Sequence, residues 1–504
     1  MRINPVPLFH FARRVPLQVH AFIFGFVFLL GYSLWLGGFS DGALLLQQFA
    51  LNWRDDGILM GAGAHLTFGF DAPLPVFCVA ALSYVLPVAA ATVLISALLW
   101  GGVCTLVVRL QQALPPRAGV SYHFLPWLLL IGIALEPFFV RQAAWSPQAA
   151  FKVLLGLLVL TLVREKRLTL LTGFVAGLLT LSWFEGLVLS IVLGGVLWRR
   201  QGWASGFLYI LGLALPLGMW AVYALHHFGT LVPVGVYSDI MLYRHTDFGE
   251  TLVRMSNILG GIFGANFSEG FINISSGLAG LILWIGGCMR WGRRHTVVAV
   301  SFWGTLAYVL YFMIVRTQLG AEGFVLPRLL AFVLIVGGLL SLFEALVQHR
   351  MPLRFLRYGL LTLWLIAFGA TGWHAKMWIT YYEGLRAQIG QYIRINNTSP
   401  TATVLAREVG SIGRESGLHM LDWYGRTDLR VAAAIRARAG LQVIRIIEGL
   451  RPTWVVLSDR DMSNMMANGY NIRRKYDFMQ EFEMDTAAPH FLKDNPVYVV
   501  FKRR

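Results

Sequence analysis

Over 504 residues, 57% are hydrophobic and only 13% charged, and the mean hydropathy of +0.61 excludes a soluble globular fold. The formal net charge of +16 does not point to nucleic acid, because the basic residues fall in short clusters between apolar segments. What remains is a polytopic helical membrane protein: its apolar stretches approach the ~20 residues that carry a helix across about 30 Å of hydrocarbon, whereas barrel strands would be shorter and alternating.

The first apolar stretch predicts a span over 17–38. It lacks a small-residue cleavage site and is expected to stay as an anchor. Directly after it comes "FSDGALLLQQFALNWRDDG", residues 39–57, with Asp41 just beyond the span and Asp55 and Asp56 a helix length later. Pro87 divides the next apolar stretch, so that residues 73–86 predict a juxtamembrane helix within a first outer loop, 39–86, and 87–110 the second span. Further spans are predicted near 123–139, 148–163, 168–184, 186–199, 203–224, 275–290, 296–315, 326–347 and 357–373, with a long outer loop over 225–274. The total is about 11 transmembrane helices.

The basic clusters set the orientation. They include Arg13 and Arg14, Arg109 and Arg117, "REKR" at 164–167, "RWGRRH" at 290–295 and "HRMPLRFLR" at 349–357. Placed inside by the positive-inside rule, they put the N-terminus in the cytoplasm and, with an odd number of spans, the C-terminus outside. Cys78, Cys104 and Cys288 all lie in apolar segments and suggest neither a disulfide framework nor a metal cluster.

From about Trp373 the composition turns polar. The spacing predicts an extracytoplasmic α/β domain over 374–504, following a transmembrane domain over 1–373. "ATVLARE", "TWVVLSD" and "NPVYVVFKRR" read as strands, and "EGLRAQIGQYIRINNT" and "GLQVIRIIEGL" as helices. Such an appendage suits an extracytoplasmic enzyme better than a channel.

Ionisable residues converge at the predicted outer ends of the spans: Asp41, Glu136, Arg141, Glu185 in "SWFEGL", His226, His227 and Arg328 in "VLPRLLAF". Charges within spans usually serve a pathway or a site. Structural readings stand beside each of these. Asp41 fits a helix cap, and Asp55 and Asp56 before Gly57 fit a helix end and turn. Glu185 fits a buried turn carboxyl, His226 and His227 an interfacial pair rather than metal ligands, and Arg328 a side chain snorkelling to the surface. "GGIFGAN" lacks the strand and helix setting of a dinucleotide fingerprint.

Five stretches carry a family resemblance. They are "DGALLLQQFALNWRDDG" with Asp41 and Asn52, "LSWFEGLVL" with Glu185, "FGTLVPVGVYSD" with Gly229 and Pro233, "FVLPRLLAFVL", and "REVGSIGRESGLHMLDWYGRTD" with Gly410, Ser416, Gly417, Asp422, Gly425 and Asp428. Together they resemble the bacterial GT-C type of membrane glycosyltransferase, nearest to its arabinofuranosyl- and mannosyltransferase-like branch. Departures are visible: Gly42 stands where the family has a second acid, "SPQAAF" lacks a glutamate, and Val234, Gly235 and Asp239 replace polar positions of the long loop.

The resemblance implies a polyprenyl-phosphate-sugar-dependent glycosyltransferase of a bacterial inner membrane, acting in envelope biogenesis, lipopolysaccharide included, on a glycan, lipid or protein acceptor outside the cytoplasm. Such chemistry needs a base for the acceptor hydroxyl and positive charge for the departing phosphate. Asp41 is the candidate base of an inverting transfer, and Glu185 a second catalytic-site carboxylate that orients a hydroxyl or an arginine. Arg141, Arg328, Arg244 and His227 are the candidate phosphate-binding groups. Asp55, Asp56 and Asp422 are placed on the acceptor side. No protein metal site is assigned; a divalent cation, Mg or Mn, is a possible cofactor. A transporter or flippase of a lipid-linked glycan, and an inactive envelope-assembly scaffold, are the alternatives.

Overall fold

A computed structural model describes residues 16–57, 59, 69–70, 72–113, 128–163, 168–231, 233, 248–264, 271–292, 295–314, 321–348, 353–423, 425–428, 430–431, 442–485, 488 and 497–504. The protein is a multi-pass helical membrane body joined to a C-terminal α/β region. Helix α1 (Leu17–Leu36) is the first span. Helices α2 (Asp41–Asp56) and α3 (Pro73–Ser83) fill the described part of the first loop, and α4 (Val88–Ala113) is the next span. There follow α5 (Pro137–Trp145), α6 (Pro147–Leu162), α7 (Thr169–Ser182), α8 (Gly186–Gln201) and α9 (Trp203–Phe228). Then come α10 (Phe248–Phe263), α11 (Phe271–Trp291), α12 (Thr296–Ile314), α13 (Val325–Gln348) and α14 (Leu353–Met377).

Among the described residues six helices are long and apolar enough to cross a membrane by length and composition, and α3, α6 and α7 are shorter apolar helices. Helix boundaries follow the apolar runs closely, with three exceptions. The stretch expected as one span over 123–139 is interrupted: residues 128–134 are helical, ending in a π-helical turn, and the chain breaks at Leu135 and Glu136 before α5 begins. The long loop expected over 225–274 contains a 16-residue helix, α10. The expected domain boundary at residue 373 falls inside continuous helix, because α14 runs through a π-helical stretch (Trp378–Glu383) into α15 (Gly384–Asn396).

The break at Glu136 has an identifiable cause. Glu136 caps α5 with its own carboxylate, Oε2 accepting from Phe139 N at 2.7 Å, and Pro137 occupies the first helical position where no N–H is required. The carbonyls released there are met by indole N–H groups, Trp100 Nε1 to Ala134 O at 3.0 Å and Trp364 Nε1 to Leu135 O at 2.6 Å. Irregular backbone is thus tolerated inside the body because protein donors satisfy it.

Close helix packing holds the body. A Cβ added at Gly212 would lie 2.0 Å from Leu170 O, and one at Gly338 would lie 2.0 Å from Leu283 O, so α9 meets α7, and α13 meets α11, backbone to backbone. Small residues allow such approach where lipid supplies no hydrophobic drive between helices.

The tail builds a five-stranded sheet from β1 (Thr403–Ala406), β2 (His419–Asp422), β3 (Trp454–Ser458), β4 (Tyr476–Phe482) and β5 (Tyr498–Arg503). Their order is β2-β1-β3-β5-β4, with β1 parallel to β2 and β3, and β5 antiparallel to β3 and β4. Helix α16 (Val409–Ser416) follows β1, and α17 (Gln442–Leu450) and α18 (Asp459–Ala467) flank β3 in sequence. The tail is packed onto the body through α16 and α2: a Cβ at Gly410 would lie 2.0 Å from the carbonyl oxygen of Asp41.

Candidate active site

Helix α2 starts where Ser40 caps it, its hydroxyl accepting from Ala43 N at 3.3 Å. The capping duty therefore falls to Ser40 and leaves the Asp41 carboxylate to other partners. Asp41 Oδ1 accepts from Ser411 N, the backbone of α16, at 2.8 Å. The Ser411 hydroxyl donates to Glu383 Oε2 at 2.5 Å, and Glu383 Oε1 accepts from Arg386 Nη1 at 2.8 Å. Arg386 also lies 3.4 Å from Glu408 Oε1. Three carboxylates, Asp41, Glu383 and Glu408, thus gather around one arginine where the first loop, the end of the last span and the tail meet. Burial pushes the Glu383 carboxyl above its ordinary range against the pull of Arg386, and burial raises Glu408 in the same way.

A second polar group lies beside α5. Arg328 Nη2 donates to Glu136 Oε1 at 2.7 Å, and Arg328 Nη1 donates to Gly264 O at 2.5 Å and Gly261 O at 3.2 Å. Its guanidinium also lies 4.8 Å from the centre of the Phe138 ring. Arg328 is therefore buried and bound inside the body instead of snorkelling to the surface. Arg141, one turn along α5 from the Phe138 ring, is only 9% exposed. It makes no hydrogen bond or ion pair among the described residues; its guanidinium lies 5.2 Å from the Trp145 ring and 5.8 Å from the Phe138 ring, within the field of Tyr32, Glu136 and Arg328. Gln142 beside it is fully buried, and neither of its polar atoms has a partner among the described residues.

A third group reaches the start of α2 through Glu322. Lys152 is buried in α6, where its Nζ donates to Glu322 O at 3.2 Å and lies 4.5 Å from the Trp183 ring. Glu322 Oε1 is 3.7 Å from the position a Cβ would take at Gly42, so an acid borders the start of α2 although position 42 is glycine. Trp183 stacks on Tyr308 at 5.9 Å, and Tyr308 donates to Glu185 O at 2.9 Å. Glu185 Oε1 accepts from Tyr311 at 3.5 Å.

The other predicted positions are more scattered. Asp55 is exposed and paired with Arg54 at 2.6 Å, and Asp56 is exposed at the end of α2. Asp422 is fully buried, its carboxylate held by Arg426 Nε at 2.6 Å, and Asp428 is clasped by His419 at 2.9 Å and Arg430 at 2.6 Å. Burial opposes ionisation of Asp428, yet the hydrogen bonds from His419 and Arg430 prevail and hold its pKa well below the ordinary aspartate range. His227 packs on Tyr223 with ring centres 4.5 Å apart. Arg244 lies outside the described residues. Among the described residues no cluster of three or more His, Cys, Asp or Glu side chains is arranged to hold a metal ion.

Sequence reasoning missed Glu383, Arg386, Glu408, Ser411, Lys152, Gln142 and Glu322. A signal existed for one pair: Glu383 and Arg386 stand three apart in "YYEGLRAQ", a spacing that pairs charges on a helix. The others meet only through tertiary contacts.

Known proteins place the architecture. Residues 375–501 match a family described as a domain of unknown function (DUF8728), and no curated protein matches the chain. Two solved structures are similar along nearly the whole length. ArnT from Cupriavidus metallidurans bound to undecaprenyl phosphate superposes with a TM-score of 0.53 at 12% identity, covering 96% of this chain and 97% of that one. ArnT from Cupriavidus metallidurans in the apo state gives 0.51 at 11% identity, covering 92% and 93%. The chain has a GT-C-like fold.

Proposed function

We propose that the protein is an inverting glycosyltransferase that moves a hexosyl or pentosyl unit from a polyprenyl-phosphate carrier to an acceptor outside the cytoplasm. The observation that carries this reading is Arg141. A buried guanidinium with no direct ion pair is costly, and Arg141 shares the field of the Glu136 carboxylate with a second buried arginine, Arg328, which already binds that carboxylate. Such a group is placed to receive an anion, and arginine grips phosphate through two donors at once. That the similar ArnT structure holds undecaprenyl phosphate supports a lipid-borne donor on this fold; fold alone does not assign an activity.

In the proposed step, the acceptor hydroxyl attacks the anomeric carbon of the donor sugar while its proton passes to the Asp41 carboxylate. The bond from the anomeric carbon to the phosphate oxygen breaks, and the electron pair leaves with the polyprenyl phosphate. Arg141 grips the leaving phosphate, Arg328 adds positive charge from its fixed position on Glu136, and His227 and Arg244 are secondary phosphate candidates. Glu185 orients a sugar hydroxyl. Asp55 and Asp56 remain candidate acceptor contacts on the exposed end of α2. Asp422, sealed against Arg426, serves the acceptor side through the shape of the tail. A divalent cation, Mg or Mn, is a further candidate neutraliser of the leaving phosphate.

The arabinofuranosyl- or mannosyltransferase-like branch rests on the sequence motifs alone. The orientation, N-terminus cytoplasmic and tail outside, rests on the basic clusters, and a bacterial inner-membrane role in envelope biogenesis rests on the family resemblance alone. The test is transfer of a labelled sugar from undecaprenyl phosphate carriers to envelope fractions by the protein in vesicles. Label must move and free undecaprenyl phosphate must appear in proportion. Failure with a broad set of donor sugars would bring the transporter or scaffold reading forward.

A further inference from the structure

A cavity of about 640 Å³ lies beside Asp41. Its walls are apolar and come from the outer part of α1 (Leu30, Leu34) and the start of α4 (Ala90, Val93, Leu94), with Ala144 of α5. Leu34 is 69% exposed and Ala90 is exposed, so the cavity reaches the outer surface of the body between the apolar helices α1 and α4. At its other end stand Glu383, Ser411, Arg414 and Glu415. Ser411 is the residue whose backbone N–H holds the Asp41 carboxylate, so this end borders the candidate base. Ser33 also lines the cavity; it is 7% exposed and its hydroxyl has no hydrogen-bond partner among the described residues.

A pocket that is apolar along membrane helices and polar where the helices end matches an amphipathic molecule drawn from the bilayer. Charge then separates two kinds of lipid. Two carboxylates and one arginine line the polar end, and Arg414 is already 3.3 Å from Glu415. Glu383 is likewise already bound by Arg386 at 2.8 Å, so the polar end keeps no unpaired cation for a phosphate and suits a head rich in hydroxyl groups. The unpaired cation, Arg141, belongs to α5 and is absent from this lining.

We propose that this cavity is the acceptor site and that the acceptor is a lipid: its chain lies between α1 and α4, and a hydroxyl-bearing sugar head sits under Glu383 and Ser411 at Asp41. This rests on the glycosyltransferase reading and narrows its acceptor from glycan, lipid or protein to a glycolipid.

The test is photocrosslinking of the full chain in phosphatidylglycerol vesicles with a diazirine-tailed diacylglucosylglycerol, its sites of attachment mapped by mass spectrometry. Attachment is expected in residues 30–39 and 89–94, with loss of about tenfold in both Ala90→Trp and Val93→Trp. Two variants guard against misfolding of one, and each is checked for an unchanged elution volume and melting temperature. Attachment elsewhere, equal attachment in both folded variants, or stronger attachment of a diazirine-tailed phosphatidic acid at the same residues would overturn the proposal. Sugar transfer is read in parallel and separates the two readings. Transfer into a water-soluble product that both variants leave unchanged sinks the lipid acceptor and keeps the enzyme. Absence of transfer by the native chain sinks the enzyme, while the crosslinks still decide what the cavity holds.

Discussion

Asp41 Oδ1 accepts a hydrogen bond from the backbone of Ser411 at 2.8 Å, although the two residues are 370 positions apart. This one bond ties the first outer helix to the tail and fixes one oxygen of the candidate base. The tail thereby becomes part of the site. Its helix α16 can approach only because Gly410 has no side chain, since a Cβ there would meet the Asp41 carbonyl oxygen at 2.0 Å.

Gly410→Ala is therefore expected to push α16 away from α2 and to lower transfer by at least about tenfold, with overpacking costing about 1–3 kcal/mol. The five-stranded sheet should survive, because position 410 lies outside every strand. Limited proteolysis of the tail together with a transfer assay checks both halves of this expectation.

Arg141 offers a test in which stability and activity move in opposite directions. Replacing an unpaired buried charge with an apolar side chain of similar length removes a desolvation penalty, so Arg141→Met is expected to raise the melting temperature while abolishing transfer. Arg141→Lys keeps a charge but loses the two-donor grip, and its effect should appear mainly as a raised KM for the donor. A structural arginine would instead lose stability in both variants.

Arg328 and Glu136 behave differently because each already has the other, at side-chain exposures of 5% and 10%. Removing one partner, as in Arg328→Met, leaves an uncompensated buried carboxylate and is expected to cost about 3–5 kcal/mol. The double variant Arg328→Met with Glu136→Gln should recover part of that loss, since the amide carries no charge and its oxygen still accepts from Phe139 N. Thermal melts of the three variants in one detergent measure the recovery.

The seam of acids sets a pH dependence. Glu383 and Glu408 both have folded pKa values above the ordinary glutamate range, with burial as the main cause. The folded state then binds more protons than the unfolded state between the ordinary and the raised values. Stability from these groups is fully present below the ordinary glutamate pKa and falls as pH rises through the raised values. Glu383→Gln should flatten the fall in melting temperature on that alkaline side. Asp428 has the opposite sign, its contribution being lost only as pH drops below the ordinary aspartate range, so the two effects occupy separate windows.

Much of the body was legible from the apolar runs. Span ends at Leu36, Leu162, Ser182 and Trp291 lie within a few residues of the expected ones, because hydropathy reports length in hydrocarbon directly. The break at Glu136 was not, since the run from 128 stays apolar on both sides of it and the indole donors of Trp100 and Trp364 come from distant helices. In the tail, β1, β3 and β5 were visible as β-branched and apolar runs, whereas β2 is only four residues long and β4, "YDFMQEF", is largely polar. Asp41, Arg141 and Arg328 could be named as candidates from their places at span ends. The groups around Asp41 could not, because Ser411, Glu383 and Glu408 join it only through the fold.

Chelation provides a further check on how the leaving phosphate is stabilised. With Arg141 and Arg328 supplying the charge, transfer after removal of divalent cations by EDTA is expected to stay within about twofold of the untreated rate. A steep loss restored by Mg or Mn would assign the neutralising role to a cation bound with the substrate.

The most direct measurement is sugar transfer by native protein, Asp41→Asn and Asp41→Ala at matched amounts in vesicles, with binding of the undecaprenyl phosphate donor measured on the same samples. The account predicts that both variants lose transfer by at least about a hundredfold while donor binding persists. Transfer unchanged in the two variants would contradict it and leave Asp41 as a structural link between α2 and the tail.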